Sequence, residues 1–518
     1  MSKLSSELPT RLYSADQIGS LENIVFEELG INSYDLMSLA GALVFKTIKR
    51  RYPHTSKLIV FVGSGNNAGD GYVVAAIANL NGIDTEVIQL CEEQNLKGET
   101  RKAFEYASSS GVSMSPFTDK PVGQNFNGRE TLIVDAIIGT GLNRPIAGRY
   151  QKAIKAVNSS NCPIISVDLP SGLNSDTGCV MGIAVMADIT LTFVGLKQGL
   201  LTGDGKDYSG EVVFANLDIP DFIYKSKGSP QPSSNRIDIG YVKGHLGPRK
   251  KSSHKGDHGH VVVLGGDLGL GGAGIMAAEA AKRSGAGLVT LITRNEHRAA
   301  ALVRCPELMV IGTEGKKTEF AGLLEKASSI VVGPGLGTAD WGKSLLLSVL
   351  ESNQVSDTPV LFDADAITIL SDRKNLLDNM ETSYFVFTPH PGEAAKLLGI
   401  SKEHVQLNRF RAVRELVNLW GGACLLKGSG SLTCSADAPD TIYLCSEGNA
   451  GMASGGMGDV LSGIIASLIA QGLKTTEALN CGICIHGEAG DLASQACGER
   501  GLRATDLFPF LGELVNPR

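Results

Sequence analysis

Residues 448–463 read Gly448-Asn-Ala-Gly-Met-Ala-Ser-Gly-Gly-Met-Gly-Asp-Val-Leu-Ser-Gly463. Six glycines in these sixteen residues leave a backbone that can take positive φ and approach a ligand closely. The apolar run that follows predicts a buried helix over 460–473. A glycine loop ending where a helix begins offers the unpaired N–H groups of the first turn, an anion site. Asp459 stands at its mouth. A carboxylate beside a phosphate cradle repels its ligand unless it has chemistry to do. The simplest such chemistry is that of a general base, taking a proton from a hydroxyl that attacks a phosphoryl group. The plainer reading is a glycine-rich turn with Asp459 capping the helix.

Upstream, the same pattern of strand, polar loop and helix recurs. Short apolar runs predict strands at 260–264, 287–293, 329–332, 359–362, 384–387, 423–426 and 441–445, with helical stretches, among them 275–284, between most of them. That alternation predicts an α/β domain with a largely parallel sheet. Its loops carry the polar residues: Gly333-Pro-Gly-Leu-Gly337, Asp363-Ala-Asp365, Thr388-Pro-His-Pro-Gly-Glu393 and Lys427-Gly-Ser-Gly-Ser431. His390, held between two prolines just past a strand end, reads as a binding residue.

The first half repeats the theme. Residues 11–51 have helical periodicity, and 57–62 is a continuous apolar run of the kind found in buried parallel strands. It leads into Gly63-Ser-Gly-Asn-Asn-Ala-Gly-Asp-Gly71, a helix at 72–80 and a strand at 85–90. Two further strands end alike: 131–134 in Asp135, followed by Gly139-Thr-Gly-Leu-Asn-Arg-Pro145, and 163–167 in Asp168-Leu-Pro-Ser-Gly172. Strands at 188–194 and 211–215 complete a sheet of six or more. Ligands of open parallel sheets gather at the carboxyl ends of strands near the switch point, so Asp135 and Asp168 are expected to face one crevice. Alternatively, each caps a following turn.

Residues 225–236 contain no apolar side chain and read as a linker between domains at 1–224 and 237–518. The 518 residues are 43% apolar and 19% charged, and the net charge of −7 argues against a nucleic-acid surface. The longest apolar run, 460–470, is too short to span a bilayer. Met1–Gln17 has no apolar core like that of a signal peptide, and the ten cysteines are scattered, which together point to a cytoplasmic protein. Cys481 and Cys484, in an apolar helical context, read as core.

Taken in order, these motifs resemble the bifunctional NAD(P)H-hydrate repair family over nearly the whole chain. Residues 63–71, 134–141 and 168–172 are similar to its Rossmann-like epimerase domain. Residues 333–337, 388–393 and 449–463 are similar to its ADP/ATP-dependent dehydratase domain, which is ribokinase-like. Ala68 stands where many members have glycine, and Met457 where many have threonine.

The resemblance implies that Asn66, Asn67, Ala68, Gly69 and Asp70, with Gly139, Thr140, Gly141, Leu142, Asn143, Arg144, Pro145 and Asp168, bind the hydrate in the first domain. It implies a potassium ion on Asn67, Asp135 and Ser171. In the second domain it implies hydrate contacts from Ala273, a glycine of Gly335 and Gly337, His390 and Asp459. Nucleotide contacts fall to Lys427, Gly428, Ser429, Gly430, Ser431 and Gly458, with magnesium accompanying ADP or ATP. Expected substrates are the hydrates NADHX and NADPHX. Asp168 is the expected acid/base of epimerisation and Asp459 the base of dehydration. Relatives of this kind also suggest a homo-oligomer. A second reading, a ribokinase-like small-molecule kinase fused to a nucleotide-binding or sensing domain, predicts a stable phosphorylated product instead.

Overall fold

The computed structural model describes residues 8–118, 130–316, 319–353, 357–378 and 380–516; the part of the Met1–Gln17 expectation that falls on residues 1–7 lies outside it. The chain divides into two compact units, Met1–Ser234 and Asn235–Arg518, both α/β.

The first unit contains β1 (Arg11–Tyr13), β2 (Lys57–Val62), β3 (Asp84–Gln89), β4 (Ser113–Pro116), β5 (Thr131–Ala136), β6 (Ile164–Val167), β7 (Ile189–Phe193), β8 (Leu196–Lys197) and β9 (Glu211–Ala215). Its main helices are α1 (Ala15–Leu29), α2 (Ser33–Arg51), α3 (Asn66–Leu80), α4 (Gly98–Ser109) and α5 (Gly148–Asn158). The sheet runs β4-β3-β2-β5-β6-β7-β9, with every neighbouring pair parallel. Period-two alternation sorts the apolar run of β2 into two cores. Leu58, Val60 and Val62 join the cluster made with α1–α4, while Ile59 and Phe61 join the one containing Ile154 and Val157 of α5. From β2 the chain moves outward to β3 and β4; from β5 it moves the other way. The strand order therefore reverses between β2 and β5, and a crevice opens at their carboxyl ends.

Three local expectations change here. Residues 11–51 are not helical throughout: Arg11–Tyr13 is a strand paired with β8, and the helix breaks at Gly30, whose φ of 64° ends α1, before Asn32 caps α2. The helix expected at 72–80 begins at Asn66, so Asn66–Gly71 forms its opening turns rather than a loop. β4, with sequence Ser-Met-Ser-Pro, carries too little apolar signal to have been expected.

The second unit contains β10 (Ser234–Ile237), β11 (His260–Leu264), β12 (Leu288–Thr293), β13 (Met309–Gly312), β14 (Ser329–Val332), β15 (Val360–Phe362), β16 (Phe385–Phe387), β17 (Ala423–Leu426), β18 (Ser431–Ser435) and β19 (Tyr443–Cys445). They run β13-β12-β11-β14-β15-β16-β17-β18-β19-β10. Pairing is parallel except at β17–β18 and β18–β19. This switch point lies between β11 and β14. The helix Met457–Ala470 is buried at every residue from Val460 to Ala470, as an all-apolar helix must be, and packs against Gly271–Arg283 and Thr475–Cys497. Both Met457–Ala470 and Gly271–Arg283 start three or four residues earlier than the apolar pattern predicts, because glycines carry no hydrophobic signal. Cys481 and Cys484 are both fully buried, and the Cys484 thiol meets that of Cys445.

The stretch 225–236 is not a free linker. The Gln17 amide donates to the Gln231 carbonyl at 2.7 Å, Ser233 N–H to the Leu12 carbonyl at 3.0 Å, and Ser234 Oγ to Gln198 at 3.0 Å. Asn235–Ile237 then pairs with Tyr443–Cys445. Its serines and amides bond backbone and side chains instead of water, a use that composition does not reveal.

Candidate active sites

The loops after β2, β5 and β6 open onto one cleft of about 1060 Å³ in the first unit. At its floor Gly63 is obligatory, since a Cβ there would lie 2.2 Å from the Ile137 carbonyl oxygen. Asn66, Asn67 and Asp70 of α3, the Gly139–Pro145 loop and Asp168 all line the cleft. Ala68 and Gly69 do not: Ala68 is fully buried, and Gly69 lies against Met37. On a helix the side-chain positions of these two face the core.

Asp168 occupies the left-handed region, with φ 64°, at the end of β6. Non-glycine residues held there are strained and cluster at functional sites. Its Oδ1 accepts from Phe193 N–H and Thr192 Oγ1, both at 3.3 Å, and closely from the Lys197 ammonium. Lys197 is 1% exposed. Asp70 and Glu22, the other acids of the cleft, are both pushed above the usual carboxylate range, first by burial.

Asp135 and Ser171 lie buried beneath the cleft and are bonded to each other. Asp135 Oδ1 accepts from Ser171 Oγ at 2.5 Å and Ile137 N–H at 3.3 Å; Oδ2 accepts from Ser171 N–H and Ser166 Oγ, both at 2.8 Å. Burial still pushes the Asp135 carboxyl up, against these four bonds. Both polar atoms of the Asn67 amide are buried without a hydrogen-bond partner. An orphaned amide oxygen, a hydroxyl and a buried carboxylate form a donor set that suits a hard cation of low charge.

In the second unit the N-cap of Met457–Ala470 is Gly456, with φ 92° and no side-chain cap, and Asp459 is the third helical residue rather than the cap. Met457 sends its side chain into the core, 5% exposed. Burial, then the Asp363 carboxylate, push Asp459 up to about 7, with Lys427 opposing. Asp363, 1% exposed, accepts from Lys427 Nζ at 2.8 Å on Oδ1 and from Ser462 Oγ at 2.7 Å on Oδ2. Lys427 also faces Glu393 at 4.0 Å. Burial works against its charge, but the surrounding carboxylates outweigh burial and raise its pKa. A Cβ at Gly458 would lie 3.2 Å from that ammonium, so Gly458 sits directly on the pair.

The other expected residues arrive at the same end of the sheet. A Cβ at Gly335 would lie 3.0 Å from that of Ala273, and Gly337 N–H donates to Asp365 at 2.8 Å. His390 serves first as an N-cap: its Nδ1 accepts from Gly392 N–H at 2.9 Å, which leaves the ring's other nitrogen toward Glu393 Oε1 at 3.4 Å. Ser431 Oγ closes the Gly428–Gly430 turn on itself.

A family model described as NAD(P)H-hydrate dehydratase matches residues 261–511, and one described as YjeF-related protein N-terminus matches 33–199. The chain is 41% identical to the bifunctional NAD(P)H-hydrate repair enzyme Nnr of Coxiella burnetii, over 98% of this chain and 100% of that one. It is 39% identical to the Escherichia coli enzyme of the same name, over 100% and 96%. The chain belongs to the bifunctional NAD(P)H-hydrate repair family. Among solved structures, a ribokinase-like superfamily protein of Enterococcus faecalis is 30% identical with a TM-score of 0.50, covering 55% of this chain and 95% of its own. The second unit is thus ribokinase-like.

For a repair-family member, the sequence reading omits several site groups. Glu22 and Lys197 line the first cleft, yet neither belongs to a glycine motif. Asp363 was legible as a loop residue but not as the partner of Lys427. Arg409, 1% exposed, donates to the carbonyls of Leu426, Lys427 and Gly430 at 3.3 Å each, and so fixes the backbone of the expected nucleotide loop. Only its place in an otherwise amphipathic helix, on the apolar face, hints at that role.

Proposed function

We propose that the chain repairs hydrated nicotinamide cofactors: the first unit interconverts the R and S hydrates of NADH and NADPH, and the second dehydrates the S form at the expense of ADP or ATP. The observation that carries this reading is full-length likeness to bifunctional repair enzymes, together with an acidic site at the switch point of each sheet. No helix among the described residues is long and apolar enough to cross a membrane.

In the first site Asp168 is the acid/base. Inversion at a carbon bearing both nitrogen and hydroxyl proceeds by proton-assisted bond breaking and reclosure. Asn67, Asp135 and Ser171 would hold potassium, whose charge would steady the substrate's phosphates and compensate the buried Asp135. The unpartnered Asn67 amide supports that assignment.

In the second site Asp459 takes the proton from the S hydroxyl, which attacks the terminal phosphoryl group of the nucleotide. AMP or ADP departs, phosphate is then expelled from C6 by the N1 electron pair, and loss of a proton from C5 restores the ring's double bond. The N–H groups of Gly456–Gly458 face the charge that develops on the transferred phosphoryl. Arg409 holds the Lys427–Gly430 backbone against the nucleotide. Both Asp363 oxygens already accept bonds, so Asp365 is the carboxylate placed to assist a magnesium ion carried by the nucleotide. His390, more than half exposed, would present its ring to the hydrate.

The deciding assay supplies mixed R and S hydrate with ADP or ATP and magnesium, and follows reduced-nicotinamide absorbance and free phosphate. Complete recovery of the cofactor with stoichiometric phosphate is expected. A persistent phosphorylated hydrate would favour the kinase reading.

A further inference from the structure

Five charged side chains line the first cleft: Glu22 of α1, Asp70 of α3, Arg144 of the Gly139–Pro145 loop, Asp168 after β6 and Lys197 of β8. Three are acids and two are bases. Lys197 is committed, because its buried ammonium donates to Asp168 and to the Phe193 carbonyl at 2.9 Å. Among the described residues, neither Asp70 nor Glu22 has a hydrogen-bond or ion-pair partner. Carboxyls crowded in one half-buried cleft, where the cation acting on Asp70 is Lys197 and is already paired, do not all ionise. Of the two acids outside the ion pair, Asp70 is the more enclosed and keeps the proton.

We propose, resting on the epimerase reading above, that Asp70 is the proton donor of epimerisation, acting opposite Asp168, with Glu22 and Lys197 as the positioning residues that set its protonation from opposite sides. Asp168, paired as a carboxylate, takes the proton of the C6 hydroxyl as the C6–N1 bond breaks. The electron pair of that bond goes to N1, which takes the proton of Asp70. The result is an open-chain aldehyde and an enamine N–H, with Asp168 protonated and Asp70 ionised. Rotation about C5–C6 presents the other face. The reverse transfers close the ring and return both protons to their starting carboxyls.

The local electrostatics agree in sign. Burial raises Asp70 well above the carboxylate range, Asp168 and Glu22 add to that, and Lys197 opposes it. Arg144 and Tyr150 also line the cleft. The neighbouring helices α2 and α4 present uncharged residues, Met37 and Thr100, to the adjacent Gly69.

The test is the pH profile of kcat/KM for conversion of R to S hydrate, measured on the full chain. The wild type should fall on the alkaline side as Asp70 loses its proton. Glu22→Gln removes a negative charge and should move that limb down by about one pH unit; Lys197→Met removes a positive charge and should move it up by about as much. Lys197→Arg should leave the limb in place. Asp70→Asn should lose about 100-fold or more at every pH. A residue that merely supports the fold would lower the rate without moving the limb. If Lys197→Met does not fold, Glu22→Gln, whose side chain is only partly buried, still decides. An unmoved alkaline limb in Glu22→Gln, or near-normal epimerisation by Asp70→Asn, would overturn the proposal. A wild type that dehydrates S hydrate but never converts R would instead remove the epimerase reading, and this inference with it.

Discussion

Asp459 shows how one residue's environment fixes both a rate and a stability. An acid pushed up to about 7 is an available base only above that pH. Dehydration of S hydrate should therefore rise with pH through about 7, and Asp459→Asn should lose about 100-fold or more at pH values above it while leaving epimerisation intact. Near-normal turnover by the variant would remove Asp459 from its role. The linkage sign is opposite to that of a salt-bridged acid. Because the folded state holds the proton more tightly than the unfolded chain, stability is greatest below the unfolded value and is lost as pH rises toward about 7. Asp459→Asn should accordingly raise the melting temperature near pH 8 and change it little near pH 4, by calorimetry. Asp135 carries a different test. Asp135→Asn puts an amide where four donors converge, so potassium should no longer raise the melting temperature or the epimerisation rate at moderate concentration. Overlaying potassium titrations of variant and wild type would make Asp135 a turn residue only. At this scale the glycine motifs gave away the polar loops they sit in. Glu22, Lys197 and Arg409 stayed hidden because a charged residue on a helix or strand is expected to face water, and only tertiary packing shows that these do not.

Whole elements explain why the loops stand where they do. Their strands were legible because runs such as 260–264 and 329–332 are apolar on both faces, as parallel strands must be. Helix starts were not, because α3 and Gly271–Arg283 begin on amide or glycine residues and Met457–Ala470 begins between Gly456 and Gly458. Those weak starts are functional: a side-chain cap would occupy the N–H groups that an anion needs. Gly456 is the pivot of the third. A side chain at φ 92° is strained, and its Cβ would lie 2.7 Å from the Met276 methyl and 3.0 Å from that of Ala504. Gly456→Ala should cost about 1–3 kcal/mol of stability and weaken nucleotide binding, read by calorimetry and titration with ADP. An unchanged affinity at reduced stability would separate the turn from the anion site.

On the scale of the whole molecule, two α/β units carry two acidic sites, each at the switch point of its own sheet. Within the stretch without apolar side chains, Gln231, Ser233 and Ser234 bond back to the first unit, and Asn235–Ile237 pairs with a strand of the second. That detail fixes where the chain can be divided. Fragments 1–234 and 235–518 keep every one of these bonds inside its own unit, whereas a break near Lys227 strips the first unit of the contacts made to Leu12, Gln17 and Gln198. Each unit has its own buried core and its own site, so each fragment should fold alone. Fragment 1–234 should interconvert R and S hydrates without nucleotide, and 235–518 should dehydrate only the S form with ADP or ATP. Mixing the two should restore complete repair of an R and S mixture, because the shared intermediate diffuses between them. A break at Lys227 should give a first fragment of lower melting temperature than 1–234. If 1–234 is insoluble, or if dehydration by 235–518 needs the other fragment present, the two units are not independent and each site depends on residues outside its own unit.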